Sequence, residues 1–300
     1  MDRANLPALD FVVIGAYKAA TTTLHRALCA HPDVFVPGRK EPSYWAFDGC
    51  SRTEIEANPI SPIAITSASE YLALFASRNG ERIAGEVSPE YLKNRRTAKR
   101  LAQGFPELRI VAILRDPAER AFSDYLMYRR DGREPLERFS DALDAQEARC
   151  SANEATGQYL TTGLYGHQLA PYYDAFPDER ILVLRQDDLA ADRGRLFARL
   201  ADFLGVDAAG FTDAPEAANL SGVPESAISR LAYGVRRRVG GVAHLIPASL
   251  KQRVDQRLQK TLSRPQLEAE DRARLVEYYD EDIALTEELT GLELSAWRRT

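Results

Sequence analysis

The sequence predicts an α/β protein with a central, mostly parallel sheet of about five strands and a helical C-terminal part. Three observations support this fold class. Short apolar runs alternate with helical stretches over the first two thirds of the chain, which is typical of βαβ units. One helix start carries a complete capping box directly after an apolar run. Beyond about residue 188, helical stretches follow one another with no further run of strand character.

Five short apolar runs predict the strands, because parallel strands that are covered on both faces are apolar throughout. The runs comprise residues 11–14, 34–36, 82–87, 110–114 and 181–184. Run 34–36 is the shortest, and run 82–87 is the least apolar. We expect right-handed crossovers between these strands, with the connecting helices packed on the sheet.

Helical stretches lie between these runs and after them. In the first part of the chain they cover about residues 21–30, 66–77, 94–104 and 116–130. In the last part they cover about residues 188–204, 225–238, 247–260 and 266–289. The helix at 116–130 has the clearest start, because Asp116 suits the N-cap, Pro117 suits the first helical position and Glu119 completes the capping box. Only Arg115 then separates this helix from the preceding strand.

Composition narrows the classes of function. The chain has 300 residues, with 39 Lys and Arg against 44 Asp and Glu, so its formal net charge is −5. This balance excludes a broadly basic nucleic-acid-binding protein, whose affinity rests on many contacts between cations and phosphates. One local anion-binding site is still compatible with it. We therefore expect no nucleic-acid partner.

The same survey gives expectations for organisation and location. We expect one domain over residues 1–300, with an α/β core at 1–205 and a mainly helical extension and lid at 206–300. The three cysteines are far apart and the four histidines show no ligand spacing, so we expect neither a disulfide framework nor a zinc site. There is no basic signal-peptide region and no apolar run near ~18 residues. We therefore expect a cytoplasmic protein without a transmembrane segment.

The first predicted strand runs directly into the segment GAYKAATTTL, residues 15–24. A junction of strand, loop and helix start presents backbone N–H groups at the positive end of a helix dipole, which suits an anion. Lys18 adds a full charge, and Thr21, Thr22 and Thr23 add hydroxyl donors. Three β-branched residues are poor helix formers, so a ligand accounts for them better than helix propensity does. The alternative is an ordinary capped helix with a solvated Lys18.

This segment differs from the Walker A pattern, in which Lys directly precedes the Ser or Thr that holds magnesium. Here Ala20 precedes Thr21. The runs 110–114 and 181–184 are each followed by Arg rather than by an Asp that completes a magnesium site. The sequence therefore disfavours a magnesium-dependent triphosphate, and we expect no metal. It favours a smaller phosphate or phosphosulfate group.

A second candidate anion site is the segment RDPAERAFSDY, residues 115–125. Arg115 follows a strand, where its planar guanidinium can bind a phosphate through two hydrogen bonds. Ser123 lies two turns into the next helix and can add a hydroxyl donor. Both segments resemble the sulfotransferases that use 3′-phosphoadenosine 5′-phosphosulfate (PAPS). Their first pattern, KxGTTxL, matches except that Ala20 replaces the usual Gly, and their second, RxPxxRxxSxY, matches at every defined position.

This resemblance implies a P-loop-like three-layer sandwich, with PAPS as co-substrate and its diphosphate product PAP. It implies that Arg115 and Ser123 bind the 3′-phosphate, and that a loop with Ser221 and Gly222 closes over the nucleotide. The residues that would hold the phosphosulfate are Lys18, Ala19, Ala20, Thr21, Thr22 and Thr23.

The segment GRKEPSYWAF, residues 38–47, carries the acid–base candidate. Transfer of a sulfuryl group to a hydroxyl needs a base for the hydroxyl proton and cations for the developing charge. The segment resembles the Lys-Glu-x-x-aromatic-aromatic stretch of the glycan-type branch (heparan sulfate N- and 3-O-sulfotransferases), whose Glu is the general base. The resemblance therefore implies that Glu41 is the base, with Lys18 steadying the leaving oxygen. The alternative is a solvated ion pair of Glu41 with Lys40 or Arg39.

The segment GEVSPEY, residues 85–91, resembles the stretch that lines the acceptor cleft in this family. Glu86 is a second acid–base group, a hydrogen-bond partner of the acceptor, or a buried and paired structural carboxylate. Val87 stands where the glycan enzymes often carry Lys, which argues against a polyanionic acceptor. An aromatic pair after Glu41 favours a sugar ring. The predicted acceptor-binding residues are Lys40, Tyr44, Glu86 and Ser88.

The resemblance therefore implies a PAPS-dependent sulfotransferase that transfers a sulfuryl group in line to a hydroxyl or amine of a carbohydrate or other small-molecule acceptor. The site would lie at the carboxyl edge of the sheet, where open α/β sheets bind ligands. Two alternatives stay open: a nucleotide kinase of the related P-loop superfamily, and a non-catalytic PAPS- or nucleotide-binding protein. The basic run at 236–238 is a solvated helix face or a contact for an anionic surface.

Overall fold

The structure is a computed structural model that describes residues 7–51, 64–152, 157–211, 222–224, 262–263 and 265–300. The helices predicted near 225–238 and 247–260 lie outside the described residues, as do Ser221 and the basic run at 236–238. The predictions for these segments stay predictions.

A five-stranded sheet forms the centre of the fold. Its strands are β1 (Phe11–Gly15), β2 (Val34–Phe35), β3 (Ile83–Val87), β4 (Arg109–Leu114) and β5 (Ile181–Arg185). The strand order is β2-β3-β1-β4-β5, and all pairings are parallel. The structure thus confirms the α/β fold class and all five predicted strands, with bounds shifted by no more than a residue. Because the strands run in one direction, their carboxyl ends meet at one edge of the sheet.

The strand order separates two crossover helices. The connection from β1 to β2 and the connection from β3 to β4 cross the sheet in opposite directions. Right-handed crossovers therefore place their helices on opposite faces. The strands pack tightly between these layers: a Cβ atom on Gly85 would lie 2.4 Å from the ring of Phe11, its partner in register on β1. Glycine is required at that position.

In the part of the chain that the structure describes, α-helices, short 3-10 turns and a pair of two-residue strands accompany the central sheet. The α-helices are α1 (Thr21–Ala30), α2 (Tyr44–Phe47), α3 (Ala68–Ala73), α4 (Glu90–Lys93), α5 (Thr97–Gly104), α6 (Pro117–Arg130), α7 (Phe139–Asp144), α8 (Gln146–Ser151), α9 (Tyr165–Tyr173), α10 (Gln186–Ala191), α11 (Arg193–Leu204) and α12 (Ala269–Thr290). The 3-10 turns are Thr161–Gly163, Asp178–Arg180, Ala208–Phe211 and Ser295–Arg298. The antiparallel pair is β6 (Val223–Pro224) and β7 (Leu262–Ser263).

The predicted helices are found with local differences. Helix α1 has the predicted bounds, and α6 begins at Pro117 as the capping box indicated. The stretch predicted as one helix at 188–204 is two helices, because the Asp192 side chain accepts a hydrogen bond from the Arg195 amide at 2.9 Å and caps a new helix. The one-turn helices α2 and α4 were not predicted.

The chain divides into two compact units. The first comprises Met1–Asp116, Leu164–Ala218 and Tyr279–Arg299, and the second comprises Pro117–Gly163, Asn219–Tyr278 and Thr300. The five-stranded sheet belongs to the first unit. The prediction of one domain with a core at 1–205 stays a prediction.

In the first unit, apolar side chains of β1 and β4 form the core together with residues of α1 and α11. Helix α11 contributes Leu196, Leu200 and Leu204, which lie at i, i+4 and i+8 on one face. Helix α1 contributes Leu24 and Leu28 at the same spacing. The sheet is therefore a rigid support for the loops that follow its strands.

In the second unit, buried ion pairs hold α6. The Arg120 side chain is fully buried, pairs with Asp124 one turn later at 3.1 Å and donates to the Tyr159 carbonyl. Nearby, Glu134 accepts two hydrogen bonds from Arg149, at 2.6 and 2.9 Å, and one from the Tyr159 hydroxyl at 2.7 Å. Arg120 is the second Arg of the RxPxxRxxSxY pattern, and its surroundings give it a structural role.

Candidate active site

The donor loop, residues 16–20, joins β1 to α1. Two of its residues, Lys18 and Ala20, have φ angles of 64° and 65°. This left-handed region favours glycine, and other residues adopt it at a cost. Ala20 is also the N-cap residue of α1 and makes no side-chain capping bond. The start of α1 therefore presents amide groups that a side chain does not cap, beside a lysine.

A second loop with unusual backbone follows β2. Glu41 and Ser43 have φ angles of 60° and 54°. Among the described residues, all non-glycine residues with positive φ lie in this loop and in the donor loop. The Glu41 amide donates to the Val87 carbonyl at 3.1 Å, and the Ser43 amide donates to the Ser88 hydroxyl at 3.1 Å. These bonds fix the loop at the carboxyl end of β3. Strained residues of this kind cluster at functional sites.

Lys40 connects the Glu41 loop to the start of α1, directly after the donor loop. Its ammonium donates to the Thr22 hydroxyl at 2.7 Å and to the Glu41 carboxylate at 2.6 Å. The exposed fractions of the Lys40 and Glu41 side chains are 25% and 30%, so a ligand can reach both. Lys40 therefore joins the candidate base to the helix start that follows the donor loop. From the sequence, we predicted only that these residues lie at the same edge of the sheet.

Arg115 lies beside the donor loop, because it follows β4, the strand next to β1. Its guanidinium donates to the Lys18 carbonyl at 3.5 Å. The other residues predicted to bind nucleotide, Ser123 on α6 and Gly222 before β6, belong to the second unit. Gly222 is packed so closely that a Cβ atom would lie 2.5 Å from the Ser263 carbonyl oxygen. The roles of Ser123 and Gly222 stay predictions.

Glu86 lies in the interior, with 1% of its surface exposed. It accepts a hydrogen bond from the Tyr91 hydroxyl at 2.7 Å, and that hydroxyl accepts one from the Trp45 amide at 3.2 Å. Burial raises the pKa of Glu86 to about 7, although hydrogen bonds from Tyr91 and Tyr71 oppose the rise. Of the roles considered for Glu86, its burial favours that of a buried structural carboxylate.

The aromatic pair after Glu41 is also buried. Tyr44 has no exposed surface, and its ring stacks on Tyr71 with centroids 4.5 Å apart. Trp45 packs edge-on against both rings. The burial of Tyr44 argues against the prediction that its ring stacks on a sugar. Ser88 is likewise buried, and its hydroxyl accepts a hydrogen bond from the Ser43 amide. Tyr44 and Ser88 therefore support the Glu41 loop from the interior of the protein.

One cluster at the site was not singled out from the sequence. Glu90 is buried, accepts a hydrogen bond from the Tyr17 hydroxyl at 2.9 Å and lies 3.2 Å from the Lys93 ammonium. Burial raises the pKa of Glu90, and Lys93 and Tyr17 oppose the rise. The signal was present in the sequence, since a carboxylate directly follows Ser-Pro at the carboxyl end of a strand.

Several further observations concern other classes of site. Cys29, Cys50 and Cys150 are unpaired. In the part of the chain that the structure describes, no group of three or more His, Cys, Asp or Glu residues is placed to hold a metal ion. In that same part, no helix combines the length and apolar character that crossing a membrane requires.

Comparison with known proteins identifies relatives along most of the chain. Residues 10–210 match the family model described as the sulfotransferase family. The chain is 29% identical over 175 residues to membrane-associated sulfotransferase kil1 of Dictyostelium discoideum, covering 57% of this chain and 32% of the relative. It is 25% identical over 206 residues to heparan sulfate glucosamine 3-O-sulfotransferase 3A1 of Mus musculus, covering 69% of this chain and 48% of the relative. The chain thus spans about a third to a half of the length of these curated relatives.

A solved structure agrees over nearly the full length. A sulfotransferase from Alicyclobacillus acidocaldarius is 27% identical, with a TM-score of 0.74, and the match covers 98% of this chain and 100% of that one. The five-stranded parallel sheet is therefore the P-loop-like fold that the two phosphate-binding patterns implied. The matched family region contains the donor loop, the Glu41 loop and Arg115. It spans more than half of the chain, and the chain belongs to the sulfotransferase family.

Proposed function

We propose that this protein transfers a sulfuryl group from PAPS to a hydroxyl or amine of a carbohydrate or other small-molecule acceptor. The observation that carries the proposal is the position of Lys40, which bonds both Glu41 and Thr22 at the start of α1, directly after the donor loop. Lys40 thereby places the candidate base close to the helix start that follows the donor loop, and direct transfer between two bound substrates requires that the reacting groups are held close together. The family membership supports the same reaction class.

On the donor side, the proposal assigns the phosphosulfate to Lys18 and the start of α1. Lys18, the helix amides and the hydroxyls of Thr21, Thr22 and Thr23 supply positive charge and hydrogen-bond donors for it. Arg115 is assigned to the 3′-phosphate, which its position beside the Lys18 carbonyl supports. The resemblance also assigns nucleotide binding to Ser123, Ser221 and Gly222.

On the acceptor side, the proposal assigns proton transfer to Glu41. Its carboxylate takes the proton of the acceptor hydroxyl as that oxygen attacks sulfur. The bond between sulfur and the bridging phosphate oxygen breaks, so the products are the sulfated acceptor and PAP. Lys18 offsets the negative charge that develops on the departing oxygen.

The relatives indicate the class of the acceptor, and the cysteines indicate the compartment. The name of the mouse relative gives heparan sulfate glucosamine as its substrate, which supports a carbohydrate acceptor here. The three unpaired cysteines support a reducing compartment such as the cytoplasm. A screen of labelled sulfate transfer into a lysate of the source organism would identify the acceptor.

A transfer assay with labelled PAPS tests the catalytic assignments. Glu41→Gln should lower the rate about a hundredfold or more, which is the usual contribution of a general base. Lys18→Ala should lower it as well, while Glu70→Gln, an exposed carboxylate on α3, should leave it unchanged. Undiminished transfer by Glu41→Gln would overturn the assignment of the base.

A thermal-shift comparison tests the donor. PAP should stabilise the wild-type protein more than AMP does, because only PAP carries the 3′-phosphate, and Arg115→Ala should abolish this difference. Equal stabilisation by PAP and AMP would contradict PAPS as the donor. Magnesium-dependent phosphoryl transfer from ATP would favour the kinase alternative, and PAP binding without any transfer would favour a binding protein.

A further inference from the structure

We propose that Tyr17 and Glu90 are positioning residues that fix the donor loop through a cluster in which Tyr17 and Lys93 contact the buried Glu90. The cluster was absent from the predicted site. The inference rests on the proposed function, because it assumes that the donor loop holds the nucleotide.

The side chains of Tyr17, Glu90 and Lys93 contact one another through polar groups. The Glu90 side chain is 6% exposed, and its Oε2 atom accepts the Tyr17 hydroxyl at 2.9 Å and lies 3.2 Å from the Lys93 ammonium. The same ammonium lies 5.2 Å from the centroid of the Tyr17 ring, within the range of a cation–π interaction. Tyr17 is therefore held by a hydrogen bond to a charged acceptor and by a cation at its ring.

The position of Tyr17 explains why such an anchor matters. Tyr17 directly precedes Lys18, whose backbone is left-handed, and Ala20 is left-handed two residues later. Strained residues of this kind keep their conformation only where the surrounding contacts hold them. The donor loop is otherwise short and has no glycine after Gly15. A fixed Tyr17 sets the direction in which the chain enters the strained segment.

The other end of the anchor is rigid. Glu90 and Lys93 lie on α4, and the segment between β3 and α4 is tied to β1 because the Ser88 amide donates to the Val13 carbonyl at 2.9 Å. The Glu41 loop is tied to the same strand end through Val87. The Glu41 charge also adds to the burial that raises the pKa of Glu90, so the two carboxylates are within electrostatic reach. The cluster therefore joins the donor loop to the end of β3, to which the Glu41 amide is also bonded.

Side chains that only filled this space would not need a carboxylate, an ammonium and a phenol. Burying a carboxylate costs free energy unless it is paired and hydrogen-bonded, and two apolar side chains would fill the same space without that cost. The chain nevertheless places a carboxylate, an ammonium and a phenol here, beside the loop that begins the site. Their directional bonds hold Tyr17 in one place, which an apolar contact would not do.

Calorimetric titration with PAP tests the proposal on Tyr17→Phe, Glu90→Gln and the double variant. Each single variant should weaken PAP binding about tenfold, since Tyr17→Phe removes the hydrogen bond, and Glu90→Gln removes the charge that strengthens this bond and pairs with Lys93. The double variant should weaken binding by less than the product of the two single effects, because both changes act on the same contact. Tyr172→Phe is the matched control: it removes a buried tyrosine bond of 2.7 Å to the carbonyl of Tyr91, next to Glu90, and should leave PAP affinity unchanged.

Three outcomes overturn the proposal: unchanged PAP affinity in both single variants, effects that multiply in the double variant, or an equal loss in Tyr172→Phe. If the wild-type protein does not bind PAP, the proposed function fails, and amide hydrogen exchange of residues 16–22 without nucleotide decides on the cluster. Tyr17→Phe and Glu90→Gln should then each speed exchange of the loop, while Tyr172→Phe should not. Unchanged exchange in the first two variants contradicts the proposal.

Discussion

Ala20 occupies a backbone conformation that its side chain disfavours. Its φ of 65° costs an L-residue about 1–2 kcal/mol, whereas glycine adopts it freely. Glycine also loses more conformational entropy on folding, which offsets part of this gain. We expect Ala20→Gly to raise the free energy of unfolding by about 0.5–1 kcal/mol, measured by urea denaturation. The neighbouring Ala19 does not have positive φ, so Ala19→Gly should lower it. Equal destabilisation by both would show that Ala20 is unstrained.

Glu86 should make stability depend on pH. Its pKa in the folded protein is about 7, above the ordinary 4.5, so between these values the folded state binds more protons than the unfolded state. Stability is therefore lost as pH rises from about 5 to 8. Glu86→Gln removes this loss, because an amide does not ionise.

The test of Glu86 is a comparison of unfolding free energies at pH 5 and pH 8. Relative to the wild-type protein, Glu86→Gln should gain about 1–3 kcal/mol between the two values. Glu134→Gln is a control of opposite character, because hydrogen bonds from Arg149 and Tyr159 outweigh burial and lower the pKa of Glu134. This variant should be less stable than the wild-type protein at both pH values. A constant difference for Glu86→Gln would mean that Glu86 does not titrate in this range.

At the scale of elements, α9 receives its N-terminal cap from α12. Its own N-cap residue, Leu164, makes no side-chain capping bond. Asp282 of α12 instead accepts hydrogen bonds from the amides of Gly166 at 2.9 Å and His167 at 3.0 Å. A Cβ atom on Gly166 would lie 2.9 Å from the Asp282 carbonyl oxygen, so glycine permits this approach.

Removal of this cap should cost more than removal of a surface ion pair. Asp282→Ala leaves two helix amides unsatisfied, and we expect it to lower the free energy of unfolding by about 1–3 kcal/mol. Asp282→Asn should retain most of the wild-type free energy of unfolding, since an amide oxygen can also accept hydrogen bonds from the helix amides. Asp280→Ala, which breaks the exposed pair with Arg298, should cost less than about 1 kcal/mol. Denaturation midpoints that rank Asp280→Ala as the more damaging change would contradict this account.

The same elements show what could be predicted from the sequence. The strands and α1 were predicted because their signals are local: a run of buried residues, or a periodicity after a loop. Both loops of the site were located for the same reason. The bond between Lys40 and Thr22 and the burial of Tyr44 against Tyr71 depend on residues that are distant in the chain. No local pattern encodes such contacts. The hydrogen bond between Lys40 and Thr22 was therefore not predicted, and Tyr44 was predicted to lie in the acceptor cleft.

At the scale of the whole molecule, the net charge of −5 conceals a local concentration of cations. Lys18, Lys40 and Arg115 come from three segments that the parallel sheet brings to one edge. An anionic ligand experiences mainly these nearby charges. At 0.1 M ionic strength, salt largely screens exposed charges that lie more than about 10 Å away. The acidic surface therefore does not prevent binding of an anion at the site.

This distribution predicts how PAP binding responds to salt. We expect PAP affinity to fall about three- to tenfold between 50 and 500 mM sodium chloride, since the contacts are largely electrostatic and partly exposed. Arg115→Ala should weaken binding and also flatten this dependence, because it removes one of the screened contacts. Arg199→Ala, on the exposed face of α11, changes the net charge equally and should alter neither property. If both variants shift affinity and slope alike, the response belongs to the overall charge of the molecule, and the cationic site is not its origin.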